Sequence, residues 1–293
     1  MRYDSAATFR QALEDRLKAH AGSGGARIAR LRKQVAFDRL LARLAVAAPG
    51  VWALKGGFAL ELRLADRART TMDVDLAWSG NENELLDKLI DAAALDLGDF
   101  FVLSIERTIA PPDRLGGAHR FRVSASLAGR LFETFLLDVG EGDGTSQLDV
   151  LTTPDLLDFA GIEPVAVPAI PLSRQVAEKL HAYTRRYEGD RSSSRTKDLI
   201  DLALIAQLFS LDASAIRSDL KRVFESRGTH DLPTALPDPP ATWQVPYRQL
   251  AMEVGIDPDL SAGHAAAAAL LDPVLDDRVA SALWDPTALR WES

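Results

Sequence analysis

Fifteen residues separate a Gly56-Gly57 pair from an Asp73-Val74-Asp75 triplet, and this spacing constrains the chain more than any other feature. The triplet lies in Arg69–Trp78, which alternates strictly: Met72, Val74, Leu76 and Trp78 on one side, Thr71, Asp73, Asp75 and Ala77 on the other. Alternation of that period predicts a half-buried strand. Residues i and i+2 of a strand share a face, so the two carboxylates stand side by side. Like charges that close are costly unless a cation lies between them, and magnesium suits carboxylate oxygens with substrate phosphates completing its shell. The glycine pair follows a short apolar strand, Val51–Leu54, and precedes a helical pattern at Phe58–Leu64. A turn of that kind lets backbone N–H groups and a helix N-terminus meet an anion. Together these parts suit a metal-bound nucleoside triphosphate. Two solvated aspartates on an edge strand are the other reading.

The rest of the chain divides by pattern. Residues 5–20 and 27–48 read as helices, the second striped by Ile28, Leu31, Val35, Leu40, Leu41 and Leu44 and ended by Pro49-Gly50. Asn81–Leu97 is helical; Phe101–Ile109, Arg120–Leu127 and Leu131–Val139 are strand candidates, with Gly116-Gly117 and Gly129 between them. Prolines 164, 168 and 171 suit a linker or crossing loop. Helical patterns then dominate at 173–188, 197–209, 212–226, 247–255, 261–271 and 274–284. The reading is α+β: a mixed-sheet domain over 1–162 and a helical domain over 163–293.

Composition narrows the function classes. With 47% hydrophobic and 26% charged residues over 293 positions, the chain is globular. It has no cysteine, which removes disulfides, thiolate zinc and a cysteine nucleophile. No run approaches the roughly 20 apolar residues of a membrane span, and the charged N-terminus lacks a signal-peptide core, so a cytoplasmic protein with no membrane partner is expected. The net charge of −8 argues against a globally basic nucleic-acid binder. Two stretches are locally basic, Arg27–Arg43 and Arg185–Lys197. Each reads as a solvated surface or as a track for an RNA backbone.

Further candidates complete the set. Asp138 lies near the end of a strand candidate, in the otherwise apolar run Phe135-Leu136-Leu137-Asp138-Val139, where an aspartate needs a partner: a metal ion, the attacking hydroxyl, or simply the turn it caps. Lys179 lies on the helix at 173–188. Asp198 and Asp201 are i,i+3 neighbours on the next, which Arg195 precedes. Lys179 and Arg195 are placed to neutralise a triphosphate; an amphipathic helix pair with a surface ion pair is the bland alternative. Lys55 and Thr71 flank the glycine turn and the acidic pair. Phosphate on Thr71 would repel a triphosphate, so Thr71→Glu is expected to abolish activity in a folded protein. Arg120 and Arg122 either join an RNA-facing surface or are solvated.

In this order, the stretches LKGGFALELRL (54–64), RTTMDVDL (69–76), LDV (137–139), RQVAEKLHAYTRR (174–186), SRTKDLIDL (194–202) and WQVPYRQLA (243–251) resemble the AbiEii/AbiGii-type toxin family, which includes the mycobacterial MenT toxins. The resemblance implies a polymerase-β-like nucleotidyltransferase fold with an added helical domain. It implies transfer of a nucleotide from an NTP, a pyrimidine such as CTP, with release of pyrophosphate and with Mg2+ or Mn2+ as cofactor. The implied acceptor is the 3′ end of tRNA, which blocks translation, and the implied partner is a cognate antitoxin. By position, Asp73, Asp75 and, on a shorter match, Asp138 fall on the metal-binding carboxylates. Lys179 and Asp198 fall on the catalytic positions of the helical motifs. Gly56 and Gly57 fall on the phosphate-cradling turn; Lys55, Thr71 and Arg195 are added as nucleotide-binding candidates from their places beside that turn and the helical motif. Transfer to a protein hydroxyl, or an NTP-binding regulator without transfer, are the competing functions.

Overall fold

The computed structural model describes residues 1–22, 24–108, 119–142, 144, 147–185 and 195–292. Gly116-Gly117, Arg186, Arg191, Ser194 and the proposed strand end at Ile109 lie outside the described residues. The chain forms two compact units, Met1–Ile170 and Pro171–Ser293.

The first unit is built on a seven-stranded mixed sheet of order β3-β4-β5-β2-β1-β7-β6. The strands are β1 (Trp52–Lys55), β2 (Asp73–Trp78), β3 (Phe101–Arg107), β4 (His119–Leu127), β5 (Arg130–Glu141), β6 (Asp149–Thr152) and β7 (Ala166–Ala169). β2 runs antiparallel to β1 and parallel to β5, which β4 joins antiparallel. The predicted alternation holds from Asp73 onward: Val74, Leu76 and Trp78 are buried, while Asp73, Asp75 and Ala77 are half-exposed. Met72 departs from it and is exposed, because β2 begins one residue later and 69–72 has no sheet partner to set its facing. The proline-marked segment expected as a linker supplies β7. Pro168 is tolerated there because β7 meets β1 at the single pair Leu54↔Ala169.

Helices α1 (Ala6–Ala21), α2 (Gly25–Ala47), α3 (Gly56–Leu64) and α4 (Leu85–Ala94) complete the unit. Phe9, Leu13, Val35, Phe37, Leu40 and Leu44 join Val74, Leu76, Phe135 and Leu137 in one core. The Phe37 ring lies 4.9 Å from that of Phe58 and 4.8 Å from that of Phe135, which ties α2, α3 and β5 together. Every residue from Lys33 to Leu44 is buried.

That burial corrects the reading of the first basic stretch. Arg30 pairs with Glu61, Arg32 with Glu14, and Lys33 with Glu133. Arg39 engages Asp38 and Asp99. Arg43, fully buried, donates to both oxygens of Asp99 at 2.9 and 2.8 Å and to the Leu95 and Phe101 carbonyls. Burial raises the Asp99 carboxyl, but the Arg43 bonds and charge outweigh it and hold it below the usual range. A buried arginine must be paired in this way, so these cations brace the helix and do not track a nucleic acid.

The second unit holds α5 (Leu172–Thr184), α6 (Thr196–Leu208), α7 (Ala213–Arg227), α8 (Gln244–Val254) and α9 (Leu260–Leu275), with a hairpin of β8 (Leu283–Asp285) and β9 (Arg290–Glu292). A Cβ at Gly263 would lie 1.7 Å from the Tyr247 hydroxyl, so the small residues of α9 make room for a buried tyrosine of α8. The helix expected over 274–284 does not form. α9 continues to Leu275, and the following segment turns so that the fully buried Trp284 donates its indole N–H to the Ala206 carbonyl at 2.6 Å.

Candidate active site on the carboxylate face of the sheet

β1 delivers Lys55 to the sheet end, and α3 starts at once with Gly56 at φ +68° and Gly57. That sign of φ favours glycine. Contact demands it as well. A Cβ on Gly56 would fall 1.9 Å from Asp75 Oδ2, and one on Gly57 would fall 2.6 Å from Thr71 Oγ1. The glycine pair therefore lies directly on Asp75 and Thr71. Thr71 is buried, and its hydroxyl donates to Asp73 Oδ1 at 3.1 Å. A glutamate at this position would have to displace that packing.

The sheet register extends this face. Lys55 is the cross-strand partner of Asp75, Asp75 of Asp138, and Asp138 of Arg120. One row across β1, β2, β5 and β4 thus reads cation, carboxylate, carboxylate, cation. Asp73 stands in the next row, opposite Leu136, with Arg122 exposed beyond it. Arg120 grips Asp138 with two bonds, Nε at 2.7 Å and Nη2 at 2.6 Å. Its guanidinium is held above the usual range by the Asp138 bond first, and by the charges of Asp138, Asp73 and Asp75. Asp73 and Asp75 on one face suit a divalent cation in kind: hard oxygen donors beside a helix start that can take phosphate. Among the described residues, no group of three His, Cys, Asp or Glu side chains is placed to hold a metal ion. The pairing of Arg120 with Asp138 had no local signal in sequence, because it depends on which strands become neighbours.

The remaining candidates meet within the second unit. Lys179 on α5 lies 2.6 Å from Asp201 and 3.4 Å from Asp198, both on α6, and Arg195 lies 3.0 Å from Asp198. Asp201 is fully buried and Lys179 nearly so, which makes this a buried cluster and not the surface pair of the bland alternative.

The mixed sheet with its glycine turn against an acidic strand defines a nucleotidyltransferase fold. MenT4, a nucleotidyltransferase toxin from Mycobacterium tuberculosis H37Rv, matches with a TM-score of 0.58 at 18% identity, over 94% of this chain and 99% of that one. A candidate nucleotidyltransferase from H. pylori and JHP933 from Helicobacter pylori give TM-scores of 0.46 and 0.45 at 16% and 15% identity. Both cover 85% of this chain, and 95% and 92% of their own. No curated protein matches the sequence. The family of the nucleotidyl transferase AbiEii toxin, Type IV TA system, matches residues 39–284, and the chain belongs to it. It is a nucleotidyltransferase toxin of that class. Among the described residues, no helix is long and apolar enough to cross a membrane.

Proposed function

We propose that this toxin transfers a nucleotide from an NTP, with CTP the expected donor, to the 3′ end of tRNA, and so arrests translation and growth. The observation that supports it best is the placement of Asp73 and Asp75 on one face of β2 against the start of α3. A magnesium or manganese ion held by these two carboxylates would supply charge stabilisation to the triphosphate. The backbone at Gly56 and Gly57 cradles phosphate, and Lys55 adds charge at the same turn. Thr71 orients the Asp73 carboxylate. Lys179, Asp198 and Arg195 enter this reading through their motif positions. A cognate antitoxin is the expected partner.

A second acceptor, a protein hydroxyl, is kept because the cations from Arg30 to Arg43 that would track RNA are engaged inside the fold. One experiment separates the two. Purified protein is incubated with magnesium, each labelled NTP in turn, and either total tRNA or total protein, beside Asp73→Ala. Label on tRNA from one donor, lost in the variant, supports the tRNA reading. Label on protein alone overturns it in favour of the second acceptor. No label anywhere overturns both and leaves a nucleotide-binding regulator.

A further inference from the structure

Asp138 lies in the register directly between Asp75 on β2 and Arg120 on β4. Both of its carboxylate oxygens are taken by the guanidinium of Arg120, at 2.7 and 2.6 Å. Two-pronged arginine–carboxylate pairs are strong and directional. This one is part-buried, with side-chain exposures of 31% and 15%.

We propose that Arg120 is a positioning residue that takes Asp138 out of the cation's ligand set, leaving Asp73 and Asp75 as the carboxylates that hold the metal. This rests on the metal-dependent reading above. Arg120 also fixes which way the Asp138 carboxylate faces. If Asp138 serves the acceptor hydroxyl, it does so from an orientation set by β4 and not by the metal.

Single variants of the pair mix two effects, because removing one partner leaves the other's charge beside the cation site. Removing the pair together avoids this. Mn2+ binding, read by electron paramagnetic resonance, is compared in the wild type, Asp75→Asn, Arg120→Gln and the double variant Arg120→Gln/Asp138→Asn. The double variant is expected to lose little Mn2+ affinity, since it loses a neutral pair and no ligand. A larger loss in a folded double variant makes Asp138 a ligand and overturns the proposal. Arg120→Gln alone is expected to tighten binding, because it leaves an unpaired carboxylate near the site; unchanged or weaker binding overturns the proposal. Wild-type crystals grown with Mn2+ decide the matter should the double variant not fold. Asp138 still on Arg120 supports the proposal, and an Asp138 oxygen on the ion overturns it. No Mn2+ binding by the wild type, or undiminished binding by Asp75→Asn, overturns the metal reading and this inference with it. Sound wild-type binding with a large loss in the double variant overturns this inference alone.

Discussion

A Cβ on Gly56 would stand 1.9 Å from Oδ2 of Asp75, well inside any non-bonded contact. The turn after β1 and the acidic strand β2 are therefore shaped to one another, and neither can take a larger residue without moving the other. The same closeness puts the start of α3, with its positive end, beside the carboxylate that the cation site requires.

Gly56→Ala is expected to suffer twice, from a φ of +68° and from the clash with Asp75. The left-handed strain and the overpacking together should cost about 2–4 kcal/mol of stability. Transfer activity should fall by more than about tenfold as Asp75 is displaced. Urea unfolding and the labelling assay read the two effects, and an unchanged variant would show that the turn can shift aside.

Thr71→Val removes the hydroxyl that donates to Asp73 at 3.1 Å while nearly keeping its volume. A hydrogen bond to a charged group contributes about 1.5–3 kcal/mol, so a loss of about tenfold or more in activity is expected with the fold intact. Thr71→Ser should restore it. Thr71→Glu should lower the melting temperature sharply, because the side chain is buried against Gly57. Circular dichroism melting separates these outcomes.

Asp201→Ala should destabilise the protein by about 3–5 kcal/mol, since it strips the 2.6 Å partner from a buried lysine. Asp198→Ala should cost less, because Lys179 keeps Asp201. Urea midpoints rank the pair, and the reverse order would mean that Asp198 is the principal partner of Lys179.

His181 gives stability a pH dependence. It is buried, 2.8 Å from the Thr229 hydroxyl, with the His230 ring 4.6 Å away. Burial first, then the charges of Arg227 and His230, lower its pKa from 6.5 to about 4. The unfolded chain therefore takes up this proton at a higher pH than the folded one. Its contribution to stability is complete above pH 6.5 and is lost as the pH falls from there towards 4. His181→Gln should flatten the melting temperature across that window. An equally steep decline in the variant would place the effect on other groups.

Much of the candidate site was legible because it is local. Asp73 and Asp75 share a face by the pleat of a single strand, and Gly56-Gly57 reads as a turn before a helix whatever surrounds it. The helices α1, α2, α6 and α7 follow from periodicity in the same way. The misreadings came where distant residues decide. Arg39 and Arg43 look like surface cations until Asp38 and Asp99 are brought to them. The segment at 274–284 looks helical until the burial of Trp284 draws its end into a hairpin strand. The prolines at 164–171 look like a linker until β6 pairs with Val167 and Ala166.

The sequence by itself determined the parts whose geometry closes within a few residues: the paired aspartates, the glycine turn and the helical frame. The tertiary structure alone decided their electrical surroundings. Sheet order places Asp138 between Asp75 and Arg120, and it sets the glycine turn on the acidic strand. The physical reason is that charges act through space. A carboxylate's partner is whichever cation the strand register brings within reach, and the sequence separation of 18 between Arg120 and Asp138 carries no record of that meeting.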